Sequence, residues 1–364
     1  MTSLEKARQI INETDAKMAE LFVERMKASK TVAEYKKEHG LQILDAKREE
    51  EVIRKNSQLV EDKEIREYYV NFLKGNIAVS RDYQERLMNG MKVAYSGTEG
   101  AFAYIAASKA FAFSNKTAFA DFESAYKSVE NGECDIAVLP VENSFNGEVG
   151  QVTDLIFLGS LYINNIFELE VTHDLLVVPG TKVSDIKQVI SHPQALGQCA
   201  EYIKAKGFEP CEYTNTALAA KKVAELSEKT VAAIASAEAA ELFGLEVLER
   251  NINSSRNNTT RFAVLSRAEN TPKPNETDIH TVLLFAVKNE AGSLAKAIEV
   301  IGRYGFNMIS LRSRPMHKES WQYYFYVEVE GNIHTDDGKA MMKELESYCD
   351  RLKSAGTFKK EQKL

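Results

Sequence analysis

Proline is absent from the first 88 residues, and glycine occurs there only at positions 40 and 75. Cysteine is scarce throughout: Cys134, Cys199, Cys211 and Cys349 are the four in 364 residues, and no two form a Cys-x-x-Cys pair. That argues against a disulfide framework and fits a reducing compartment. The six histidines make neither His-Glu-x-x-His nor a Cys/His cluster, so no metal is expected. No stretch approaches the roughly 20 apolar residues of a membrane span. The opening Met1-Thr2-Ser3-Leu4-Glu5-Lys6 has no apolar signal core, so a cytoplasmic location is expected. Positive excess is missing too. Lys+Arg minus Asp+Glu is 46 − 53 = −7, which disfavours a nucleic-acid surface because phosphate binding needs a cationic face. No Gly-x-Gly-x-x-Gly loop follows a strand, so no dinucleotide is expected.

What is present divides the chain. Residues 1–88 carry 17 Lys+Arg and 17 Asp+Glu, are rich in helix formers and lack breakers. They read as three helices, about 4–38, 46–56 and 62–88. The first is near 50 Å long at ~1.5 Å per residue, too long to bury its stripe on two short partners, so a dimer is expected. From residue 91 to about 267, short β-branched runs alternate with alanine-rich helical stretches, an α/β pattern with mainly parallel strands. The polar, two-proline segment 268–278 reads as a linker. Residues 279–364 follow a β-α-β-β-α order, with strands at 280–287, 307–314 and 321–330 and helices at 292–304 and 336–353. That order fits a ferredoxin-like α+β module.

The first helix carries cations where an apolar stripe belongs. Arg25 and Lys36 lie about 20° apart at ~100° per residue, beside Phe22 and Val32. Ser80 and Gln84 interrupt the stripe Val70, Leu73, Ile77, Leu87, and Asp45-Ala46-Lys47-Arg48-Glu49 opens the second helix. Snorkelling or pairing with Asp45 and Glu49 would account for any one cation. Three together in a small bundle point to a bound dianion, because buried cations are costly unless paired and guanidinium grips carboxylate bidentately.

The set Arg8, Arg25, Lys36, Asp45, Arg48, Glu49, Ser80 and Gln84 resembles the all-helical chorismate mutases. The resemblance implies an intertwined dimer in which Arg8 reaches the partner's site, and rearrangement of chorismate to prephenate. It gives the carboxylates to Arg25, Arg48 and Arg8. Lys36 and Gln84 take the ether oxygen, with Glu49 and Ser80 on the ring hydroxyl and Asp45 in the binding set.

Four polar loops mark the middle segment: Ser96–Phe102, Pro140–Gly147, Ser191–Cys199 and Asn257–Phe262. Gly97 and Gly100 before a helix make an anion-binding turn or a plain one. Polar residues after a buried strand, as at Glu142-Asn143-Ser144, lie where α/β ligands bind. Asn143 and Ser191 read equally as helix caps, Thr260 as a strand-start threonine, His192 as a turn residue and Cys199 as packing. Taken in order, Pro-Val-Glu-Asn-Ser, Ser-His-Pro-Gln-Ala-Leu and Asn-Asn-Thr-Thr-Arg-Phe resemble the prephenate dehydratases.

That resemblance implies two α/β lobes similar to periplasmic binding proteins, and decarboxylation of prephenate with loss of its ring hydroxyl to give phenylpyruvate. Thr260 matches the catalytic threonine. Arg261 is the candidate carboxylate clamp and Phe262 the ring wall, with Glu142, Asn143, Ser144, Ser191 and Gln198 in the substrate-binding set. Ala103 stands where relatives carry Ser or Thr.

The last module resembles the ACT regulatory domain. Gly292-Ser293-Leu294-Ala295 and Arg312-Ser313-Arg314-Pro315 match its phenylalanine-binding signatures, with Arg312 in place of a glutamate. The aromatics Trp321, Tyr323, Tyr324, Phe325 and Tyr326 read as core and interface. The resemblances together imply a bifunctional enzyme inhibited by phenylalanine, acting as a homodimer or homotetramer, and the reactions they imply need no cofactor. The alternatives are a dehydratase preferring arogenate, and a non-catalytic sensor with a helical dimerisation arm.

Overall fold

The computed structural model describes residues 2–254, 258–316, 322–360 and 362–364. Asn257 and Trp321, named above, lie outside the described residues. The chain divides into two compact units, 1–91 and 92–364.

The first unit is three helices, α1 (Ser3–Glu38), α2 (Ala46–Ser57) and α3 (Lys63–Asn89). Their ends are set by short polar residues. Thr2 forms a reciprocal capping box with Glu5, Asp45 caps α2 by accepting from Arg48 N, and Asp62 caps α3. Few residues of α1 are buried (Ser29 and Ala33), and Ile10, Ile11, Leu21, Phe22 and Val23 are exposed. The apolar stripe read from the sequence thus has no cover within one chain.

The second unit begins with β1 (Lys92–Ser96), α4 (Phe102–Ala110), β2 (Asn115–Phe119), α5 (Phe122–Glu130), β3 (Ile136–Asn143), β4 (Gly147–Glu148), α6 (Gly150–Leu158) and β5 (Tyr162–Glu170). The chain then crosses to a second lobe. This comprises β6 (Asp174–Val177), β7 (Gln188–Ser191), α7 (Pro193–Gln198), α8 (Ala200–Lys206), β8 (Glu209–Glu212), α9 (Thr216–Leu226), β9 (Val231–Ala235), α10 (Ala237–Phe243) and β10 (Glu246–Glu249). It returns along β11 (Thr259–Ser266), which inserts between β3 and β5.

The first lobe's sheet runs β16-β5-β11-β3-β1-β2, with β4 on β3 and β16 being Gln362–Lys363; the second lobe's runs β10-β6-β9-β7-β8. Strands β1, β2 and β3 are parallel, as are β7, β8 and β9, but the returning β11 is antiparallel to both neighbours. The mainly parallel expectation therefore fails on the crossing strands. A strand that comes back from another lobe need not follow a β-α-β crossover.

The C-terminal part runs β12 (Ile279–Ala286), α11 (Ser293–Arg303), β13 (Asn307–Pro315), β14 (Tyr323–Glu330), α12 (Asp336–Glu346) and β15 (Arg351–Lys359). The expected helix to 353 ends at Glu346, and β15 was not anticipated. No glycine or proline separates α12 from β15, so no breaker marks the change. The four strands pair antiparallel in the order β13-β14-β12-β15. One face packs under its own helices around Phe285, Ile301 and Leu345. The other joins the first lobe's core, where Leu284, Tyr324 and Phe358 meet Phe157 and Ile163. All of β12 is buried because both faces are covered. Gly356 (φ +143°) is required here, since a Cβ would lie 2.0 Å from the Ile163 carbonyl oxygen.

Candidate active sites

In the helical unit, a cavity of about 170 Å³ opens between the three helices. It collects Arg25 and Lys36 from α1, Asp45 before α2, Arg48 and Glu49 on α2, and Ser80 and Gln84 on α3. Seven of the eight expected residues therefore share one site. Arg8 is not among them. It lies seventeen residues before Arg25 on α1, about 25 Å at 1.5 Å per residue. Arg81 also lines the cavity and was missed, although it continues the helical spacing Ile77, Arg81, Gln84.

Four cations and two carboxylates leave the lining with 4 − 2 = +2. The cations are held from behind. Arg25 Nη1 donates to the Asn76 carbonyl (3.1 Å) and to Ser80 Oγ, and Lys36 Nζ donates to the Ile43 carbonyl (2.5 Å). Arg81 donates to Glu49 at 3.2 Å. Burial lowers the pKa of Arg25. Gln84 Oε1 is buried with no hydrogen bond.

In the second unit, a cleft of about 420 Å³ lies between the lobes. Asn143, Gln198, Thr260 and Phe262 line it, as expected of them. Strand alternation explains the selection: Thr260 and Phe262 share one face of β11, and Asn143 on β3 stands opposite Thr260 in register. The same alternation sends Arg261 and its register partner Glu142 to the other face. Arg261, expected as a carboxylate clamp, instead donates to Glu328 on β14 (2.8 and 2.9 Å) and to Glu142 (3.2 Å). Burial opposes ionisation of Glu328, but hydrogen bonds from His280 and Arg261 outweigh it and hold the carboxyl down at about 2.

Two further expectations change. Ser191 is fully buried and its hydroxyl donates to the Ile234 carbonyl (2.6 Å), while exposed Ser144 accepts from Thr259 N (2.9 Å). Neither Ser191, Ser144, Glu142 nor Arg261 is among the cleft's described lining residues. His192 is the residue that caps α7, by accepting from Gln194 N, and it lines the cleft.

Among the described residues, no lysine or arginine lines this cleft. Positive potential comes from backbone instead. The first turn of α4, after Gly97 and Gly100, and the start of α9 at Asn215–Thr216 both face it. His173, which no sequence expectation included, also lines the cleft. It is 3% exposed and sits where the chain first crosses between lobes. No His-x-His or nucleophile pattern marks it, so nothing local in the sequence could have found it.

In the C-terminal part, Gly292 caps α11 in the left-handed region, followed by Ser293, Leu294 and Ala295. Arg312, Ser313, Arg314 and Pro315 end the edge strand β13. Both arginines are engaged with the first lobe. Arg312 donates to Glu142 (2.5 Å), and Arg314 grips Asp154 (2.9 and 2.8 Å) over Gly150, where any Cβ would strike its guanidinium. No group of three or more metal-ligating side chains occurs among the described residues, and no helix is long and apolar enough to cross a membrane.

Comparison with known proteins covers nearly the whole length. The family model for chorismate mutase type II matches residues 7–85 and that for prephenate dehydratase residues 93–270. The bifunctional chorismate mutase/prephenate dehydratase of Enterobacter agglomerans is 30% identical over 369 residues, covering 97% of this chain and 95% of that protein. Among solved structures, one described as GqqA, a novel type of quorum quenching acylase, is 32% identical (TM-score 0.68). It covers 74% of this chain and 98% of its own. A prephenate dehydratase from Arthrobacter aurescens, solved in complex with L-Phe, shares the fold at 24% identity (TM-score 0.69), over 74% of this chain and 90% of its own. The chain belongs to the family of bifunctional chorismate mutase/prephenate dehydratases.

Proposed function

We propose that the helical cavity rearranges chorismate to prephenate and that the interlobe cleft converts prephenate to phenylpyruvate. The observation that carries this is the pairing, in one chain, of a +2 cavity sized for a small dianion with a neutral cleft built around Thr260.

The rearrangement needs no acid, base or cofactor. Arg25 and Arg48 hold the two carboxylates so that the reacting ends meet, an orientation effect. Lys36 and the Gln84 amide stabilise charge developing on the ether oxygen as its bond breaks, with Glu49 and Ser80 beside the ring hydroxyl and Asp45 in the lining as the cap of α2. Arg8 completes the site of a second copy, which also covers the exposed stripe of α1.

In the second step the ring carbon–oxygen bond breaks with its electron pair on oxygen. The pair of the ring–carboxylate bond enters the ring, carbon dioxide leaves, and aromatisation drives the change. The departing oxygen takes up one proton and leaves as water. Thr260 donates a hydrogen bond to that oxygen, Asn143 and Gln198 contact the substrate and Phe262 walls the ring. Acyl transfer fits the cleft poorly: Cys199 is buried away from it with its thiol pushed up to about 12 by burial, and Thr260 Oγ1 faces an amide, Asn143 Nδ2, where a nucleophile would need a base.

We assign residues 1–88 to the mutase and 91–267 to the two-lobed dehydratase, a layout like that of periplasmic binding proteins. Residues 268–278 are the linker, and 279–364 are a ferredoxin-like ACT domain whose β-α-β-β-α-β order supports the reading. Phenylalanine is the proposed effector, bound by Gly292–Ala295 and Arg312–Pro315, with the edge strand β13 available to a second copy in a homodimer or homotetramer. Four free thiols agree with a cytoplasmic location.

The test is incubation with chorismate alone, products being identified by mass spectrometry before any acid treatment. Phenylpyruvate is the expected product. Accumulating prephenate would overturn the dehydratase assignment, and unchanged chorismate would overturn the mutase assignment. Millimolar phenylalanine should slow phenylpyruvate formation and raise the melting temperature; no shift would remove the effector assignment.

A further inference from the structure

Six side chains form a connected polar network across the two lobes, and its polarity follows from one end. Asn143 Oδ1 accepts from the backbone N–H groups of Phe145 and Asn146 (both 3.0 Å) and from Asn146 Nδ2 (3.1 Å). Three donors fix that end of the carboxamide as oxygen. Asn143 Nδ2 must then be the donor to Asn258 Oδ1 (2.8 Å) and to Thr260 Oγ1 (3.0 Å). Asn258 in turn presents Nδ2 to Gln198 Oε1 (3.0 Å). That oxygen also lies 2.7 Å from His173 Nε2. An oxygen can only accept, so His173 carries its proton on Nε2.

Two consequences face the substrate. Thr260 Oγ1 is already an acceptor, which leaves its own proton unspent. Gln198 Oε1 is doubly occupied, which leaves Nε2 as the unspent polar atom of a side chain that lines the cleft. The opposite His173 tautomer would set two lone pairs against each other at 2.7 Å and turn the Gln198 carboxamide around. Its carbonyl oxygen would then meet an anionic substrate. His173 suits this role because it is buried, its Nδ1 has no partner, and its ring packs edge-on against Phe102. Burial also lowers its pKa, favouring the neutral ring.

We propose that His173 is a positioning residue of the dehydratase, which as the Nε2–H tautomer locks the Gln198 carboxamide so that N–H groups, together with the Thr260 O–H, are offered to the anionic substrate. The proposal rests on the assignment of the cleft as the dehydratase site with Thr260 at its centre.

The test uses the full chain. His173→Gln keeps an N–H donor at similar reach, whereas His173→Met fills the space without one. Dehydratase turnover with prephenate should fall tenfold or more in His173→Met and stay within about threefold of the parent in His173→Gln. Mutase turnover by the same samples, unchanged, normalises the amount of enzyme, and an unchanged far-ultraviolet circular dichroism spectrum and melting temperature report an intact second unit. Equal loss in both variants, or no loss in His173→Met, overturns the proposal. Nitrogen-15 NMR of the histidine-labelled parent gives an independent reading that needs no variant: an Nε2–H neutral ring at neutral pH supports it, and an Nδ1–H or doubly protonated ring overturns it. Thr260→Val separates the two levels. If it is inactive while His173→Met is normal, only the positioning role fails; if Thr260→Val still turns over prephenate, the underlying assignment fails.

Discussion

Two cavities in this chain are proposed to receive dianions that are isomers of one another, yet their linings differ in kind. The helical cavity is built from Arg25, Lys36, Arg48 and Arg81 against two carboxylates. The interlobe cleft has amides, hydroxyls, imidazoles and helix N-termini, with no lysine or arginine among its described lining residues. The chemistry explains the contrast. In the rearrangement both carboxylates survive, so gripping them costs nothing in the transition state and fixes the reactive conformer. In the second reaction one carboxylate departs as carbon dioxide. A cation on it would stabilise the ground state more than the transition state and slow the step. Arg261 shows the point locally: the cation nearest Thr260 in sequence is turned through the sheet and tied to Glu328.

The comparison is broken most severely at Arg25. Replacing it by Ala leaves one carboxylate of a bound dianion without its guanidinium, a loss of the order of 4 kcal/mol or about a thousandfold in mutase kcat/KM. Prephenate turnover by the same protein should stay within twofold. Loss of both activities in a folded protein would show that the two sites are not independent.

Glu328 tests the other side of the contrast, where charge is kept out of the cleft. Its folded carboxyl is held at about 2 by His280 and Arg261, below an ordinary value of about 4.3. The native state therefore binds fewer protons than the unfolded chain between those values. The stabilisation is fully present above about pH 4.3 and is lost as pH falls towards 2, amounting to about 3 kcal/mol. Glu328→Gln should flatten this acid limb in denaturation at varied pH and destabilise the second unit at neutral pH, since the mostly buried Arg261 loses its bidentate carboxylate partner and keeps the weaker contact with Glu142. An unchanged acid limb would mean that the ion pair contributes nothing.

These differences were unequally legible in the sequence. The helical cavity is legible almost whole, because spacing puts Arg25 with Lys36 on one helix face and Ser80 with Gln84 on another, a cation in an apolar stripe is conspicuous, and the resemblance to the chorismate mutases joins them with Arg48. Arg81, hidden beside Ser80, is the lining residue that the reading lacks, and Arg8 is the expected residue that does not line the cavity within one chain. The cleft was read by half. Asn143, Thr260 and Phe262 are where strand period two puts them, but the same period was not applied to Arg261 and Glu142, which it sends to the opposite face. Gln198 and His173 meet because the fold of the second lobe brings residues 25 apart in sequence into contact, a tertiary fact with no local signal. Strand β15 was lost for a similar reason: its pairing with β12 stabilises a segment whose local composition reads as helix.

The smallest effect carries the most direct test of why the cleft is neutral. Gln194 sits at the exposed start of α7 on the cleft lining, so arginine there reaches the substrate without disturbing a core. Gln194→Arg should bind prephenate more tightly, lowering KM several-fold, because a new cation meets a dianion. If the lining is neutral in order to let a carboxylate leave, kcat should fall by about tenfold at the same time, tighter binding and slower chemistry arising from the same charge. Steady-state kinetics with prephenate would show the opposed movements. A variant in which kcat rises with tighter binding would mean that the added charge stabilises the transition state. The neutrality of the cleft would then have a cause other than decarboxylation.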